Sequence, residues 1–207
     1  MTIPDPQASL ASPALELSLP PAGRLRYWPD WISAERAQEL FSALHSDPGW
    51  QQLPVRLFGR DIPQPRLTAF HADGGINYTY SGLCLQGRGW SPTLALLRDR
   101  LNAQLAQDFN SVLCNLYRDG RDYMGWHADD ERELGAAPVI ASLSFGARRR
   151  FQFRPRHADH GHRQELMLDP GSLLVMSGDL QHHWQHQLPK SLRITSPRIN
   201  LTFRRIG

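Results

Sequence analysis

His127-Ala128-Asp129 is the part of this chain whose residue types and spacing most directly suggest chemistry. Side chains of an extended segment alternate with period two, so His127 and Asp129 point to one face. A distant third histidine, from the cluster His182, His183 and His186, can complete a face of two imidazoles and one carboxylate. Such a face holds Fe(II) and leaves positions open for a co-substrate and oxygen. Arg198 stands 12 residues beyond His186, and Arg204 follows it. A fixed guanidinium binds a carboxylate through two parallel N–H bonds. A His-x-Asp pair occurs often by chance, so the argument rests on the whole set. That set suggests an iron oxygenase using a carboxylate-bearing co-substrate.

The elements that must position these residues are of two kinds. Residues 33–46 (SAERAQELFSALHS) predict a helix, with Ser33 as N-cap and Leu40, Phe41 and Leu44 on one face. Ser91-Pro92 starts a second, a capping hydroxyl followed by proline at the first helical position. Its buried stripe is Leu94, Leu97, Leu101 and Leu105, and it is expected to run to about Asn110. From residue 111 the pattern becomes short β-rich segments: VLCNLYRD, PVIASLSFG, RRFQFRP, QELMLD, GSLLVMSG, HHWQHQLP and PRINLTFRRI. No βαβ rhythm is present, so the fold class is mainly β with flanking helices, a double-sheet jelly roll. Residues 51–82 are dense in proline and glycine and read as irregular binding loops. Residues 1–22, rich in Pro, Ala and Ser, read as a mobile arm before a single domain over 23–207.

Composition narrows the setting. A chain of 207 residues fits one domain with a sizeable core. The net charge is +3, and Lys190 is the one lysine among 23 basic residues, the rest being arginine. Arginine suits phosphates and planar bases, so nucleic acid is permitted but not demanded. Cys84 and Cys114 form no CxxC, as in a reducing cytosol. No basic-then-apolar leader opens the chain and no apolar run is long enough to span a membrane. The expectation is a cytoplasmic monomer without membrane contact.

Residues 115–129 (NLYRDGRDYMGWHAD) and 198–204 (RINLTFR) resemble the signature segments of the AlkB family of Fe(II)/2-oxoglutarate dioxygenases. Asn-x-Tyr, His-x-Asp, a distal His and Arg-x-Asn-x-Thr-x-Arg occur here in that order. The likeness spans residues 52–207, and HADDEREL, YTYSG and PRINLTFR extend it toward the subgroup that repairs double-stranded DNA. The resemblance implies a double-stranded β-helix (jelly roll) core, with Fe(II) as cofactor and 2-oxoglutarate and O2 as co-substrates. Its iron ligands would be His127, Asp129 and His186, the last chosen by its WQHQLP context and the step to Arg198. Arg198 would grip the distal carboxylate of 2-oxoglutarate and Arg204 lie near the keto-acid end. Asn115 and Tyr117 would hydrogen-bond the co-substrate, with Asn200 and Thr202 on the same strand face.

The implied reaction is oxidative demethylation of N-alkylated bases in DNA, such as 1-methyladenine and 3-methylcytosine, releasing formaldehyde and succinate. A base in duplex must be flipped out to react. By resemblance Tyr80 would stack on it opposite His127, Tyr78 would lie near its phosphate or sugar, and Glu131 would meet its exocyclic nitrogen. Leu57 and Phe58, in VRLFGR, would form a finger wedged into the stack, and Arg66 would face nucleic acid from a loop. Arg148, Arg149, Arg150, Arg154, Arg156 and Arg163 form a second basic stretch, which strand alternation splits between two faces. The implied partner is methylated DNA, with duplex favoured. Read from the residues alone, Tyr78 and Tyr80 pack outside the roll, Phe58 belongs to the core, and Glu131 is a solvated charge. The alternatives are the same chemistry on RNA or another methylated substrate, and a catalytically silent nucleic-acid binding module.

Overall fold

A computed structural model describes residues 12–47, 49–57, 60–80, 83–157, 159 and 161–207. The chain opens with β1 (Leu15–Leu19), β2 (Gly23–Trp28) and α1 (Ala34–His45). Two hairpins flank a longer strand: β3 (Pro54–Leu57) with β4 (Arg60–Pro63), then β5 (Leu67–Ala72), then β6 (Asn77–Tyr80) with β7 (Leu83–Gln86). Next come α2 (Pro92–Leu105), β8 (Ser111–Tyr117), β9 (Met124–His127), β10 (Ile140–Gly146) and β11 (Arg149–Pro155). β12 (Gln164–Leu168), β13 (Leu173–Gly178), the single turn α3 (Leu180–His183), β14 (Trp184–Leu188) and β15 (Arg198–Arg204) complete the order.

A major sheet runs β1-β2-β13-β10-β15-β8-β5, and a minor sheet β12-β11-β14-β9 faces it, the jelly roll expected from the strand pattern. Every pairing within these sheets is antiparallel. Alternation divides the major sheet into an outer apolar face and an inner face that supplies the site. On β15, Ile199, Leu201 and Phe203 join the core with Val112, Cys114 and Leu116 of β8 and Ala141, Leu143 and Phe145 of β10. The same core takes Ala37, Leu40 and Leu44 from α1 and Leu94, Leu97 and Leu101 from α2. Both helices therefore brace the back of the strands whose other face carries the chemistry. Leu101 is fully buried there. Leu101→Ala is expected to cost about 3 kcal/mol through lost transfer energy and an unfilled cavity; chemical denaturation would measure it.

Both helix starts match the sequence reading. Ser33 Oγ accepts from the Arg36 N–H at 3.4 Å and Ser91 Oγ from the Leu94 N–H at 3.3 Å. The second helix ends earlier than expected, at Leu105 rather than near Asn110. Ala106 turns left-handed at φ 51°, and the Asn102 side chain holds the Phe109 backbone on both sides, at 2.7 and 3.2 Å. That bracket redirects the chain into β8.

Three further expectations are corrected. The proposed arm over 1–22 contains β1, which pairs with β2 along its length, Leu15 opposite Tyr27 through Leu19 opposite Gly23. The described residues of 51–82 are mostly strand: Pro54 and Pro63 face each other at the open end of one hairpin, and β5 pairs with β8 in the major sheet. Prolines tolerated at hairpin edges masked this pattern. HHWQHQLP is a helical turn followed by a strand: His182 and His183 end α3, and β14 begins at Trp184. Among the described residues no helix is long and apolar enough to cross a membrane.

Candidate metal and co-substrate site

β9 and β14 are paired with His127 directly opposite His186, and a register irregularity follows before Leu188. The two rings meet edge to face, centroids 4.2 Å apart. Asp129 lies just past the end of β9, and its ligand oxygen joins the two imidazoles in a group whose atoms all lie within 4.8 Å of one another. Local contacts fix each ring and carboxylate. His127 Nδ1 bonds the Gly125 carbonyl at 2.8 Å, which leaves Nε2 to face Asp129. The Asp129 backbone N–H donates to Gln181 Oε1 at 3.0 Å, and Asp129 Oδ2 accepts from Arg204 Nη2 at 2.8 Å. The other oxygen, Oδ1, is buried with no hydrogen-bond partner among the described residues, as is His186 Nδ1. Buried carboxylate oxygens are seldom left unbonded, so an orphan oxygen beside two imidazoles fits a divalent metal. His182 lies outside this group, with Nε2 against the Ala136 carbonyl at 2.5 Å.

Electrostatics agree with ligand chemistry. Burial alone would raise the Asp129 carboxyl, but Arg204, then His186 and His127, hold it at about 2. Burial lowers both imidazoles, His186 to about 3 with the help of His127. The set is thus an ionised carboxylate and two neutral imidazoles, the forms that bind metal.

A narrow cavity of about 40 Å³ opens from this group. Asn115, Tyr117, Asn200, Thr202 and Arg204 all line it, as expected from their period-two spacing on β8 and β15. Register places Asn200 opposite Asn115 on one side and Ser144 on the other. Asn200 Nδ2 donates to Ser142 Oγ at 2.8 Å and to the Leu143 carbonyl at 3.0 Å, while Thr202 Oγ1 donates to Asn200 Oδ1 at 3.1 Å. Arg198 is 2 % exposed, sits behind Tyr117 at 5.5 Å from its ring, and donates to Ser144 Oγ at 2.9 Å. Its Nε is buried without a partner, and among the described residues no carboxylate pairs with it. Burial lowers this guanidinium to about 10; nearby Tyr117 opposes the shift and Arg149 adds to it. Arg204 is ion-paired with Asp129 of the metal group and also lines the cavity beside it.

The base-side residues are partly corrected. Tyr78 is fully buried, packed with Phe70, Leu113 and Leu134, and 5.7 Å from the Arg204 guanidinium. The β6–β7 hairpin turns Tyr78 inward, away from the surface where a phosphate was expected, with Glu131 close enough to act on its hydroxyl. Glu131 is half-buried, and burial, then Asp129, raises its carboxyl. Arg66 is not a loop-tip cation: it is 4 % exposed and Nε donates to Asn115 Oδ1 at 2.9 Å. Tyr80 ends β6, and Leu57 ends β3 opposite Arg60. Phe58 lies outside the described residues.

Half of the second basic stretch is ion-paired within the fold. Arg148 pairs with Asp169, Arg150 with Glu165 and Arg156 with Asp130, while Arg154 and Arg163 lie over Trp126. Sequence reasoning missed Gln181, which no motif marks. It also missed Ser142 and Ser144, whose alternation in IASLSFG carried the signal.

Two paired sheets enclosing a His-Asp-His group beside a buried, unneutralised arginine define a non-haem iron oxygenase that takes an acidic co-substrate. The 2OG-Fe(II) oxygenase superfamily matches residues 24–204. The chain is 39% identical to mouse "Alpha-ketoglutarate-dependent dioxygenase alkB homolog 3" over 213 residues, 98% of this chain and 74% of that one. It is 45% identical to mouse "DNA oxidative demethylase ALKBH2" over 159 residues, 73% of this chain and 66% of that one. The solved structure "The structure of OsALKBH1" shares the fold, with TM-score 0.61 at 14% identity, covering 92% of this chain and all of that one. The chain belongs to the AlkB family of Fe(II)/2-oxoglutarate-dependent dioxygenases.

Proposed function

We propose that this enzyme removes alkyl groups oxidatively from base nitrogens in DNA, in direct-reversal repair. The observation that carries the reading is the half-buried Glu131 carboxyl, two residues from Asp129 at the metal group. An acid in a dry pocket attracts a cationic base such as 1-methyladenine or 3-methylcytosine over its neutral parent. The name of one relative, a DNA oxidative demethylase, supports the same substrate class.

His127, Asp129 and His186 would hold Fe(II), which with 2-oxoglutarate and oxygen supplies the oxidising power for an N-alkyl C–H bond. Arg204 keeps Asp129 ionised. Arg198 takes the distal carboxylate of 2-oxoglutarate, and Asn115, Tyr117, Asn200 and Thr202 orient its body. Arg66 fixes Asn115 for that task, and Tyr78 fixes Glu131. Tyr80 stacks on the flipped base, and Leu57 with Phe58 fills the gap left in the duplex. The hairpins within 51–82 form the recognition region of one domain. Methylated duplex DNA is the favoured substrate, single strands are accepted, and a cytoplasmic monomer does the work.

The test is incubation with Fe(II), 2-oxoglutarate and 1-methyladenine oligonucleotides, single- and double-stranded, following base mass and formaldehyde. Turnover on DNA is the expected result, and no turnover on any methylated nucleic acid overturns the proposal. Faster turnover on RNA would favour the RNA reading, and tight binding without turnover a silent module. Phe58→Ala should lower duplex turnover about tenfold, roughly the worth of one stacking contact, and spare single strands. Equal loss on both removes the finger assignment.

A further inference from the structure

Arg149 is 1 % exposed, yet neither the metal group nor the cavity lining includes it. It begins β11 in the minor sheet and reaches out of that sheet. Its Nη2 donates to the Asp122 carbonyl at 3.0 Å and to the Pro189 carbonyl at 2.8 Å, and its Nη1 to the Asp119 carbonyl at 3.3 Å. One guanidinium thus ties the turn between β8 and β9 to the exit of β14. The tie is reinforced by the Gly120 N–H to the Ile194 carbonyl and the Ser191 N–H to the Gly120 carbonyl, both at 2.8 Å. The Tyr117 ring centroid lies 5.9 Å from the Arg149 guanidinium and 5.5 Å from that of Arg198. Two buried cations therefore share one aromatic ring at the end of the cavity. Asp122 and Asp119 help hold the Arg149 charge, and Asp122 is itself locked by Arg118 through three bonds at 2.8 to 2.9 Å.

We infer that Arg149 is a positioning residue that sets the preference for a dicarboxylate co-substrate, acting through Tyr117 and Arg198. A buried guanidinium is costly unless its donors are met and its charge is balanced. Arg149 spends both terminal nitrogens on three backbone carbonyls, which pins the turn that follows Tyr117 to the end of β14. Arg198 remains unneutralised until a carboxylate arrives, and the second positive charge deepens the local field for that anion. Removal of Arg149 loosens the wall on which Tyr117 stands and weakens that field. The inference rests on the assignment of Arg198 to the distal carboxylate.

The test compares 2-oxoglutarate with 2-oxovalerate, which lacks the distal carboxylate, in Arg149→Met, Arg149→Lys and Arg198→Met. Binding to the Mn(II)-loaded protein is measured by calorimetry, alongside KM and kcat. Arg149→Met should weaken 2-oxoglutarate about tenfold, or about 1.4 kcal/mol, with 2-oxovalerate and kcat nearly unchanged. Arg149→Lys, which keeps the charge but not the three-carbonyl fork, should fall between. Unchanged 2-oxoglutarate affinity, or equal loss for both compounds, overturns the inference. If Arg198→Met also leaves 2-oxoglutarate affinity intact, the clamp assignment itself fails; if it alone weakens binding, only the role of Arg149 does. Should the variants not fold, wild-type Mn(II) protein decides. There, 2-oxoglutarate and not 2-oxovalerate should slow amide exchange at Gly120 and Tyr123, and no difference overturns the inference.

Discussion

Asp129→Ala is expected to abolish turnover and to weaken the metal-free fold by about 3–5 kcal/mol, the usual cost of stripping one partner from a buried ion pair. Both effects have one origin. Asp129 Oδ1 is the orphan that faces the metal position, while Oδ2 is bound to Arg204 at 2.8 Å. The two side chains are 2 % and 5 % exposed, so a lone Arg204 would be a buried charge without an anion. Asp129→Ala/Arg204→Met should recover much of the stability and none of the activity. Denaturant melts of the metal-free proteins and calorimetric Mn(II) titrations would separate the two effects. A single variant as stable as the wild type would refute the account. The pair also sets an acid limit. Its carboxyl is lowered from 3.8 to about 2, so its stabilisation is full above 3.8 and is lost as pH falls through 2.

The second large effect is expected at Arg198. Arg198→Met should raise the KM for 2-oxoglutarate at least about a hundredfold, near 2.7 kcal/mol, while kcat at saturation changes little. Among the described residues the guanidinium is buried, bonded to Ser144 and without an anion. Co-substrate binding therefore completes an ion pair that the free protein leaves half-made. Because the empty site carries an uncompensated buried cation, the variant should be no less stable than the wild type without co-substrate. Steady-state kinetics and thermal melts would report both. A KM within a few-fold of wild type would remove Arg198 from the clamp.

The chemistry-bearing residues were legible because strand geometry writes itself into sequence. Arg198, Asn200, Thr202 and Arg204 alternate with Ile199, Leu201 and Phe203; that alternation places Asn200, Thr202 and Arg204 on the cavity wall, Arg198 behind Tyr117 on the same face, and the other set in the core. The helix starts were legible for a similar reason, since Ser33 and Ser91 satisfy backbone donors only a few residues away. Less was legible where the decision lay far along the chain. Leu15–Leu19 looks like part of a polar arm until β2 offers it a partner. Gln181 is ordinary until its amide oxygen meets the Asp129 N–H, 52 residues distant. Tyr78 and Arg66 have residue types suited to nucleic acid, yet packing turned both inward.

By itself the sequence determined the class of metal site, the strand that carries the arginines and asparagine, and the helices that brace it. These depend on residue type and on periods of two and 3.6, which are local properties. Only the tertiary structure decided that His186 stands opposite His127, that Arg204 is paired with Asp129, and that Arg198 has no anion beside it among the described residues. Register across two sheets and the burial of charge are properties of the assembled fold. No local pattern encodes them, because each depends on which distant group excludes water from the other.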